Sequence, residues 1–240
     1  YSGWQTQPDA TTVQETIEQA LTLVARSPEP IAILGAGRTD AGVHARGMVA
    51  HVDLPMSPDE ARQLIYRTDR YLPHDIALYD IRPMREEAHA RFSATSRTYR
   101  YYVTLRKDPF QEARMLRLYF PLDFDRMNEA AERLKDFTDF TSFSKLHTDV
   151  KTNNCRVTEA YWQVGSEEGQ WIFTITADRF LRNMVRAVVG TLFQVGKGRL
   201  SVEDFCAVIE AKDRGQAGSS APAHALYLEQ VGYPEDLYLD

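Results

Sequence analysis

The sequence predicts an α+β protein, in which a mixed, mainly antiparallel sheet is flanked by helices in two lobes. Strand and helix patterns follow one another irregularly along the 240 residues, without the strand–helix–strand rhythm of a doubly wound sheet. Two strand patterns at 156–164 and 171–177 flank a glycine-containing turn, which is typical of an antiparallel hairpin. The pattern changes near residues 92–96, and this predicts an N-terminal lobe over 1–93 and a C-terminal lobe over 94–240.

The elements of the first lobe follow from local signals. Residues 12–15, TVQE, have the form of a capping box, and apolar residues then recur at helical spacing as far as Arg26. Pro58 begins a second helical pattern of about a dozen residues. Short apolar runs predict the strands. The predicted strands of this lobe cover 31–34, 48–54 and 76–81, and a glycine-rich loop covers 35–47.

The clearest strand signal of the second lobe is the alternation over 97–105. One face carries Tyr99 with Tyr101, and the other carries Arg100 with Tyr102, as a pleated strand requires. Helical spacing and a last apolar alternation predict the remaining elements. These are helices at 123–137, 180–195 and 202–211, the hairpin strands already described, and a strand at 225–231.

Composition excludes several classes of protein. With 43% hydrophobic residues the chain can bury a sizeable core, and a net charge of −6 excludes a uniformly basic nucleic-acid coat but not a local basic groove. Two cysteines are too few for a disulfide scaffold and lack metal-ligand spacing, which predicts a reducing, cytoplasmic compartment. No apolar run approaches the ~18 residues of a membrane span, and no signal peptide opens the chain.

Residues 33–40, ILGAGRTD, resemble a strand that enters a dinucleotide-binding loop. Asp40, however, stands where the third glycine of that fingerprint belongs, and the residues after it lead to a strand pattern instead of a helix. A nucleotide-dependent oxidoreductase would therefore rest on Gly35 and Gly37 alone, so we disfavour it. Calorimetry with a nicotinamide cofactor tests this alternative.

The same loop concentrates side chains that can bind or react. Its glycines allow a bulky ligand to approach the backbone closely, and arginines on both sides favour the charged form of Asp40. A charged carboxylate suits a nucleophile or an electrostatic stabiliser better than a general acid. Spacing alone leaves open that Asp40 is only a turn residue. The polar residues of the loop are Arg38, Thr39, Asp40, His44 and Arg46.

Residues 35–45, GAGRTDAGVHA, form a long motif, and further motifs accompany it along the chain. These are YSGWQ (1–5), TVQ (12–14), HARFSA (89–94), RTYRY (97–101), DFTSF (139–143), FLRNMVR (180–186), APA (221–223) and LYL (226–228). Together they resemble the tRNA pseudouridine synthase A family in the order that this family has them. The resemblance extends over essentially all 240 residues.

The resemblance implies the pseudouridine synthase fold, with the active site in a cleft between the two lobes. It also implies isomerisation of uridine to pseudouridine at positions 38 to 40, in the anticodon arm of tRNA, by a homodimer without cofactor or metal. Asp40 would be the nucleophile; whether it attacks the sugar, attacks the base or assists elimination stays open. The family normally has a strand before the position of Tyr1, so we expect an initial strand to be missing here.

Two further residues are expected to be catalytic by the same resemblance. Tyr99 matches the active-site tyrosine of the family, and such a ring can stack on a displaced uracil, although its strand position also fits a core tyrosine. Arg186 lies at the margin of the apolar stripe of its helix and would pair with Asp40. On position alone, Arg186 can also be a snorkelling surface residue.

RNA binding is expected to come from local basic patches. Residues 82–117 contain nine basic and four acidic residues, and residues 178–199 contain five basic residues and one acidic residue. Both stretches surround expected site residues, which predicts a groove that follows phosphates. The residues expected to bind substrate are Tyr99, Arg38, Thr39, His44, Arg46, Arg97 and Arg182.

A non-catalytic RNA-binding module with the same fold is the remaining alternative. We disfavour it because Asp40, Tyr99 and Arg186 are all present. A tritium-release assay on tRNA labelled at C5 of uridine separates the two readings.

Overall fold

The computed structural model describes residues 1–145 and 152–239 and divides into two compact units. The first unit comprises residues 1–42, 48–94 and 232–240, and the second comprises residues 43–47 and 95–231. The two units are therefore not simply the two halves of the chain. The division of the catalytic machinery between two lobes stays a prediction.

The helices and strands are as follows. The helices are α1 (Val13–Ala25), α2 (Pro58–Tyr71), α3 (Phe124–Arg133), α4 (Met184–Gly196) and α5 (Val202–Glu210). The strands are β1 (Leu34–Gly35), β2 (His44–Ala45), β3 (Ala50–His51), β4 (Ser96–Thr104), β5 (Leu116–Arg117), β6 (Val157–Val164), β7 (Gln170–Ala177) and β8 (Leu226–Gly232). The predicted α+β class is confirmed.

In the first unit, α1 and α2 pack on each other and on a small core, beside an antiparallel pair of β1 and β3. Thr12 caps α1, because its side chain accepts a hydrogen bond from the Glu15 backbone N–H at 3.3 Å. Ser57 and Glu60 form a complete capping box at the start of α2. The core of this unit consists of Trp4, Ile17, Ala20, Leu21, Ile33, Leu64 and Leu72.

The C-terminal segment of the chain belongs to the first unit through backbone hydrogen bonds. The Arg85 N–H donates to the Leu237 carbonyl at 3.0 Å, and the Leu239 N–H donates to the Pro83 carbonyl at 3.1 Å. Residues 43–47 belong to the second unit for a similar reason, because β2 pairs in parallel with β8. These pairings join positions far apart in sequence, which local patterns do not reveal.

The second unit contains a mixed sheet with strand order β2-β8-β4-β7-β6, and β5 pairs with β4 beside this path. The long pairs β4–β7 and β6–β7 are antiparallel, whereas the two-residue pairs β2–β8 and β4–β5 are parallel. In β4, Tyr101 and Val103 on one face are fully buried, and Tyr102 and Thr104 on the other face are buried as well. The predicted hairpin is β6 and β7.

Helix α4 is the most buried helix of the second unit. Every residue of it is buried except Arg186 and Gln194. It packs in the same core as the sheet, and its Phe193 contacts the rings of Tyr101 and Trp162. This helix is stabilised by the burial of apolar side chains on nearly all its sides. The apolar stripe seen at helical spacing in the sequence therefore covers only part of its buried surface.

Several sequence-based expectations are wrong in detail. No strand forms at 76–81, where the Leu78 N–H instead bonds the Asp69 carboxylate at 2.8 Å and the apolar side chains pack on the core of the first unit. The predicted strands at 31–34 and 48–54 reduce to β1 and β3. Helix α4 begins four residues later than predicted, since Asn183 adopts a left-handed conformation with φ of 66°.

None of the described helices combines the length and the apolar character needed to cross a bilayer.

The burial of Cys155 leads to a testable difference between the two thiols. Cys155 is 2% exposed, and burial raises its pKa to about 12, whereas Cys206 is half-buried. Because the thiolate is the reactive form, we expect an aromatic disulfide reagent to label Cys155 more than about 100-fold more slowly than Cys206. The Cys206→Ser variant should therefore remain unlabelled until the protein is denatured. Rapid native labelling of that variant would contradict this packing.

Candidate active site

The loop that carries Asp40 directly follows β1 and is supported by the first residues of the chain. The indole of Trp4 lies against Gly35 so closely that a Cβ there would overlap it. Gly3, with φ of +92°, lies equally close to the carbonyl oxygen of Thr39. The segment is itself anchored, since the Val13 N–H donates to the Gly3 carbonyl at 3.2 Å. The N-terminal residues thus fix the backbone at the start of the loop and next to Asp40.

Within this loop, the side chains differ in exposure. Asp40 and Thr39 are half-buried, and Arg38 is exposed. The Ala36 N–H donates to the Val49 carbonyl at 2.7 Å, which closes the base of the loop. No helix forms between residues 36 and 57, so the strand–loop–helix context of a dinucleotide site is absent from this described segment. The loop instead presents a half-buried carboxylate beside an exposed guanidinium.

In the second unit, Tyr99 lies on β4 and packs at the edge of the core. Its ring meets the ring of Phe180 edge-on, with centroids 5.2 Å apart and planes at 88°. Its backbone pairs with Ile175 of β7. The phenol is half-buried, and Tyr101 lies fully buried two residues along the same strand face. The position of the Tyr99 ring is therefore set by both the sheet and Phe180.

Arg186 forms two hydrogen bonds with the backbone of Ala221, donating one and accepting the other. Its Nε donates to the Ala221 carbonyl at 2.7 Å, and the Ala221 N–H donates to the Arg186 carbonyl at 2.9 Å. The Tyr101 hydroxyl donates to the next carbonyl, that of Pro222, at 2.9 Å. Burial raises the pKa of Tyr101 well above its usual range, and the nearby positive charge of Arg186 opposes this rise. The side chains of Arg186 and Tyr101 thus bond to consecutive backbone carbonyls, those of Ala221 and Pro222.

The two other arginines expected to bind substrate in this unit have different surroundings. Arg97 is half-buried and donates to the carbonyl of Asp178 at 2.8 Å, which joins the ends of β4 and β7. Arg182 is exposed, and its carbonyl accepts from the Lys145 N–H at 3.1 Å. Arg97 therefore has a structural contact that the sequence did not reveal.

His44 and Arg46 lie in an aromatic cluster of the second unit. The guanidinium carbon of Arg46 is 5.5 Å from the ring centroid of Tyr102 and 5.1 Å from that of Tyr227. The Glu229 carboxylate lies 3.7 Å from this guanidinium and accepts a 2.6 Å hydrogen bond from the Tyr102 hydroxyl. The charge of Arg46 is therefore partly compensated within the protein. The imidazole of His44 stacks on Tyr227 with centroids 4.7 Å apart.

A polar cavity of about 180 Å³ opens beside this aromatic cluster. Two cations contribute to it, Arg46 and Arg114, together with the carboxylate of Glu167. The remaining lining residues are Tyr102, Gln111, Met115, Ser166, Gln170 and Tyr227. Within residues 1–145 and 152–239, no three His, Cys, Asp or Glu side chains are grouped so as to hold a metal ion.

The expected site residues are thus divided between the two units, with Arg97 and Arg182 in the second. Arg38, Thr39 and Asp40 share one loop of the first unit. Tyr99 and Arg186 lie in the second unit on β4 and α4, and His44 with Arg46 forms the aromatic cluster there. Sequence reasoning missed Phe180, the Ala221 carbonyl, Tyr227 and Glu229 as supporting groups. The first three lie inside quoted motifs, but a hydrogen-bonded carbonyl has no side-chain signal.

Comparison with known proteins identifies the class of this fold. Residues 130–234 match the family model described as tRNA pseudouridine synthase. The chain is therefore similar to pseudouridine synthases over the part of the second unit that carries α4, Arg186 and Ala221.

Full-length relatives identify the family more closely. The chain is 62% identical over 240 residues to tRNA pseudouridine synthase A of Porphyromonas gingivalis, covering 100% of this chain and 94% of that protein. It is 53% identical to the protein of the same name from Bacteroides thetaiotaomicron (99% and 88% covered) and 39% identical to that from Bacillus subtilis (97% and 94% covered). The chain belongs to the tRNA pseudouridine synthase A family, which confirms the resemblance found in its motifs.

The environment of His44 generates a prediction about pH. Burial lowers the pKa of His44 below its usual value of 6.5. Hydrogen bonds to the backbone of Ala113 and His224 oppose this, and the charges of His224 and Arg114 add to it, so on balance the folded protein favours the neutral imidazole. The unfolded chain binds a proton more readily than the folded chain below pH 6.5, so the stability conferred by His44 should fall as the pH falls through this value.

The His44→Phe variant isolates this effect, because its ring can still stack on Tyr227 but cannot titrate. Urea unfolding of both proteins at pH 7.5, 6.5 and 5.5 should show the wild type losing stability relative to the variant as the pH decreases. Parallel pH profiles of the two proteins would mean that His44 titrates in the same way folded and unfolded.

Proposed function

We propose that this protein isomerises uridine to pseudouridine in the anticodon arm of tRNA, at positions 38 to 40. The observation that carries this proposal is the similarity to proteins named tRNA pseudouridine synthase A, which extends over the whole chain at up to 62% identity. The half-buried carboxylate on a loop fixed by Trp4 and Gly3 supports it. No second function is favoured by a specific observation.

The reaction exchanges one bond of the nucleoside for another. The bond between C1′ and N1 breaks, the uracil turns, and a bond between C1′ and C5 forms. The proton leaves C5 and N1 gains one, so the product is an isomer and no redox cofactor is needed. We assign the nucleophile to Asp40, and attack on the sugar, attack on the base and assistance of elimination are all compatible with that assignment.

Tyr99 is the residue that we assign to the displaced uracil. An aromatic ring stacks on a base with ~1–3 kcal/mol, and Phe180 keeps the Tyr99 ring in one orientation. Its hydroxyl is our candidate acceptor for the C5 proton. Arg186 is our third catalytic residue; its pairing with Asp40, which the resemblance implies, stays a prediction. The hydrogen bond from its Nε to Ala221 limits the positions that its guanidinium can occupy.

We propose that tRNA binds to the basic stretches at 82–117 and 178–199, on a protein whose net charge is −6. Among the arginines expected to bind substrate, Arg38, Arg46 and Arg182 are exposed, so RNA phosphates can reach their guanidinium groups. Arg46, Arg97 and His44 have protein contacts that reduce what they can offer to RNA. We further propose a cytoplasmic homodimer, which sedimentation at several protein concentrations tests.

Replacement of Asp40 by Asn tests the central assignment. Asn keeps the size and the turn preference of Asp, so the loop should keep its shape while the nucleophilic oxygen is lost. We expect turnover to fall by at least about 1,000-fold, measured by tritium release from C5-labelled uridine in tRNA. The affinity for tRNA should remain near that of the wild type, since it comes mainly from phosphate contacts.

Asp53→Asn is the matched control. Asp53 is an exposed carboxylate two residues after β3 in the same unit, so its loss reports the electrostatic effect of removing one negative charge. It should leave turnover unchanged. If Asp40→Asn kept more than a small fraction of wild-type turnover, Asp40 would be a structural turn residue and another nucleophile would be required.

A steep dependence of tRNA affinity on salt is the second expectation. If about five phosphates are neutralised, the slope of log K against log salt should be about −4. Arg114→Ala should make this slope shallower by about 1, because Arg114 is exposed beside the polar cavity.

Arg106→Ala provides the comparison, because Arg106 lies in the same basic stretch but forms an ion pair with Glu168. We expect it to change the slope less than Arg114→Ala does. A wild-type slope near zero would show that these basic stretches do not bind the RNA.

A further inference from the structure

Phe92 is a large apolar side chain that lies exposed on the protein surface. It is 77% exposed, and the guanidinium carbon of Arg91 lies 5.6 Å from its ring centroid. The imidazole of His89 lies on the ring as well, with centroids 4.4 Å apart. An exposed aromatic ring with a cation beside it is the arrangement that proteins use to stack an unpaired nucleobase.

A rigid turn presents this ring. The Nδ1 of His89 accepts hydrogen bonds from the backbone N–H groups of Arg91 at 3.1 Å and of Phe92 at 3.2 Å. The turn closes where the Ser93 N–H donates to the His89 carbonyl at 2.9 Å and the His89 N–H donates to the Ser93 Oγ at 3.0 Å. Because the turn is ordered before any ligand arrives, stacking on Phe92 costs little conformational entropy.

The turn is attached to the same small sheet as the Asp40 loop. The Ala90 N–H donates to Nδ1 of His51 at 3.0 Å, and the rings of His51 and His89 meet edge-on at 4.7 Å. His51 belongs to β3 and pairs with Leu34 of β1, the strand that leads into the Asp40 loop. One pair of strands within the first unit therefore fixes both the displayed ring and the loop with the carboxylate.

We propose that Phe92 is a stacking platform for an unpaired base of the tRNA substrate, and that Arg91 contributes its charge to this subsite. His89 is a positioning residue, since it holds the turn and its side chain packs against Phe92. The choice of RNA over an apolar protein partner rests on charge complementarity, because the Arg91 guanidinium lies beside the Phe92 ring and a positive charge there favours a polyanion. This inference rests on the proposed function, and it adds a binding contact away from the reacting atoms.

The Phe92→Ala variant tests the platform. Loss of one base–aromatic stack, worth ~1–3 kcal/mol, corresponds to about 5- to 140-fold weaker tRNA binding at ~1.4 kcal/mol per tenfold change. The slope of log K against log salt should stay unchanged, because no phosphate contact is lost. Phe92→Trp should restore affinity, whereas Phe92→Leu, which keeps apolar area but not the flat ring, should resemble Phe92→Ala. Tyr79→Ala is the matched control, since Tyr79 is 84% exposed in the same unit and should not alter binding.

Variants of His89 test the positioning role. Asn at position 89 can accept the same backbone hydrogen bonds through its Oδ1, as in an Asx-turn, so His89→Asn should retain most of the affinity. His89→Ala should weaken tRNA binding as much as Phe92→Ala does. The double variant with both substitutions should bind tRNA little more weakly than Phe92→Ala alone.

The outcomes separate this inference from the proposed function. Wild-type protein that forms no pseudouridine in tRNA would refute the proposed function whatever Phe92 does. Wild-type turnover together with unchanged tRNA affinity in a folded Phe92→Ala variant would overturn the platform alone. A Phe92→Ala variant that sediments as a smaller species would overturn it too, because Phe92 would then be a contact between subunits.

Discussion

The burial of α4 is the constraint on which the second unit depends. Because almost all of its residues lie in the core, the helix cannot shift without exposing apolar surface on every side. It holds the segment 218–222 at several points, through Thr191, which accepts the Gly218 N–H at 2.9 Å, and through the two hydrogen bonds between Arg186 and Ala221. That segment in turn holds the Tyr101 hydroxyl on β4. The position of Arg186 is therefore a consequence of core packing.

In the first unit, close contacts with the backbone and with an indole ring fix the Asp40 loop. Trp4 lies against Gly35, and Gly3 lies against Thr39, so that glycine is required at both positions for steric reasons. The strands β1 and β3 are only two residues long, yet they connect the Asp40 loop to the turn that displays Phe92. A small sheet thus holds both the loop of Asp40 and an exposed aromatic ring.

Charge alone does not indicate which arginines are available to RNA. Arg97 belongs to a basic stretch, but it bonds a backbone carbonyl. Arg46 belongs to the glycine-rich loop and lies near the rings of two tyrosines and the carboxylate of Glu229. Arg38 and Arg182 are exposed on the loop of the first unit and just before α4. Contacts within the fold therefore decide how much of the charge of Arg46 and Arg97 remains for a polyanion.

The sequence by itself determined the α+β class, the N-cap of α1, the start of α2 at Pro58, the strand β4, the hairpin and the family, because these depend on periodicity, capping residues and contiguous motifs. It did not determine β2 and β5, the absence of a strand at 76–81 or the late start of α4. Only the tertiary structure decided these features, and with them the contacts of His44, Arg46 and Arg97. The physical reason is that two-residue strands and buried hydrogen bonds depend on partners distant in sequence, so no local pattern encodes them.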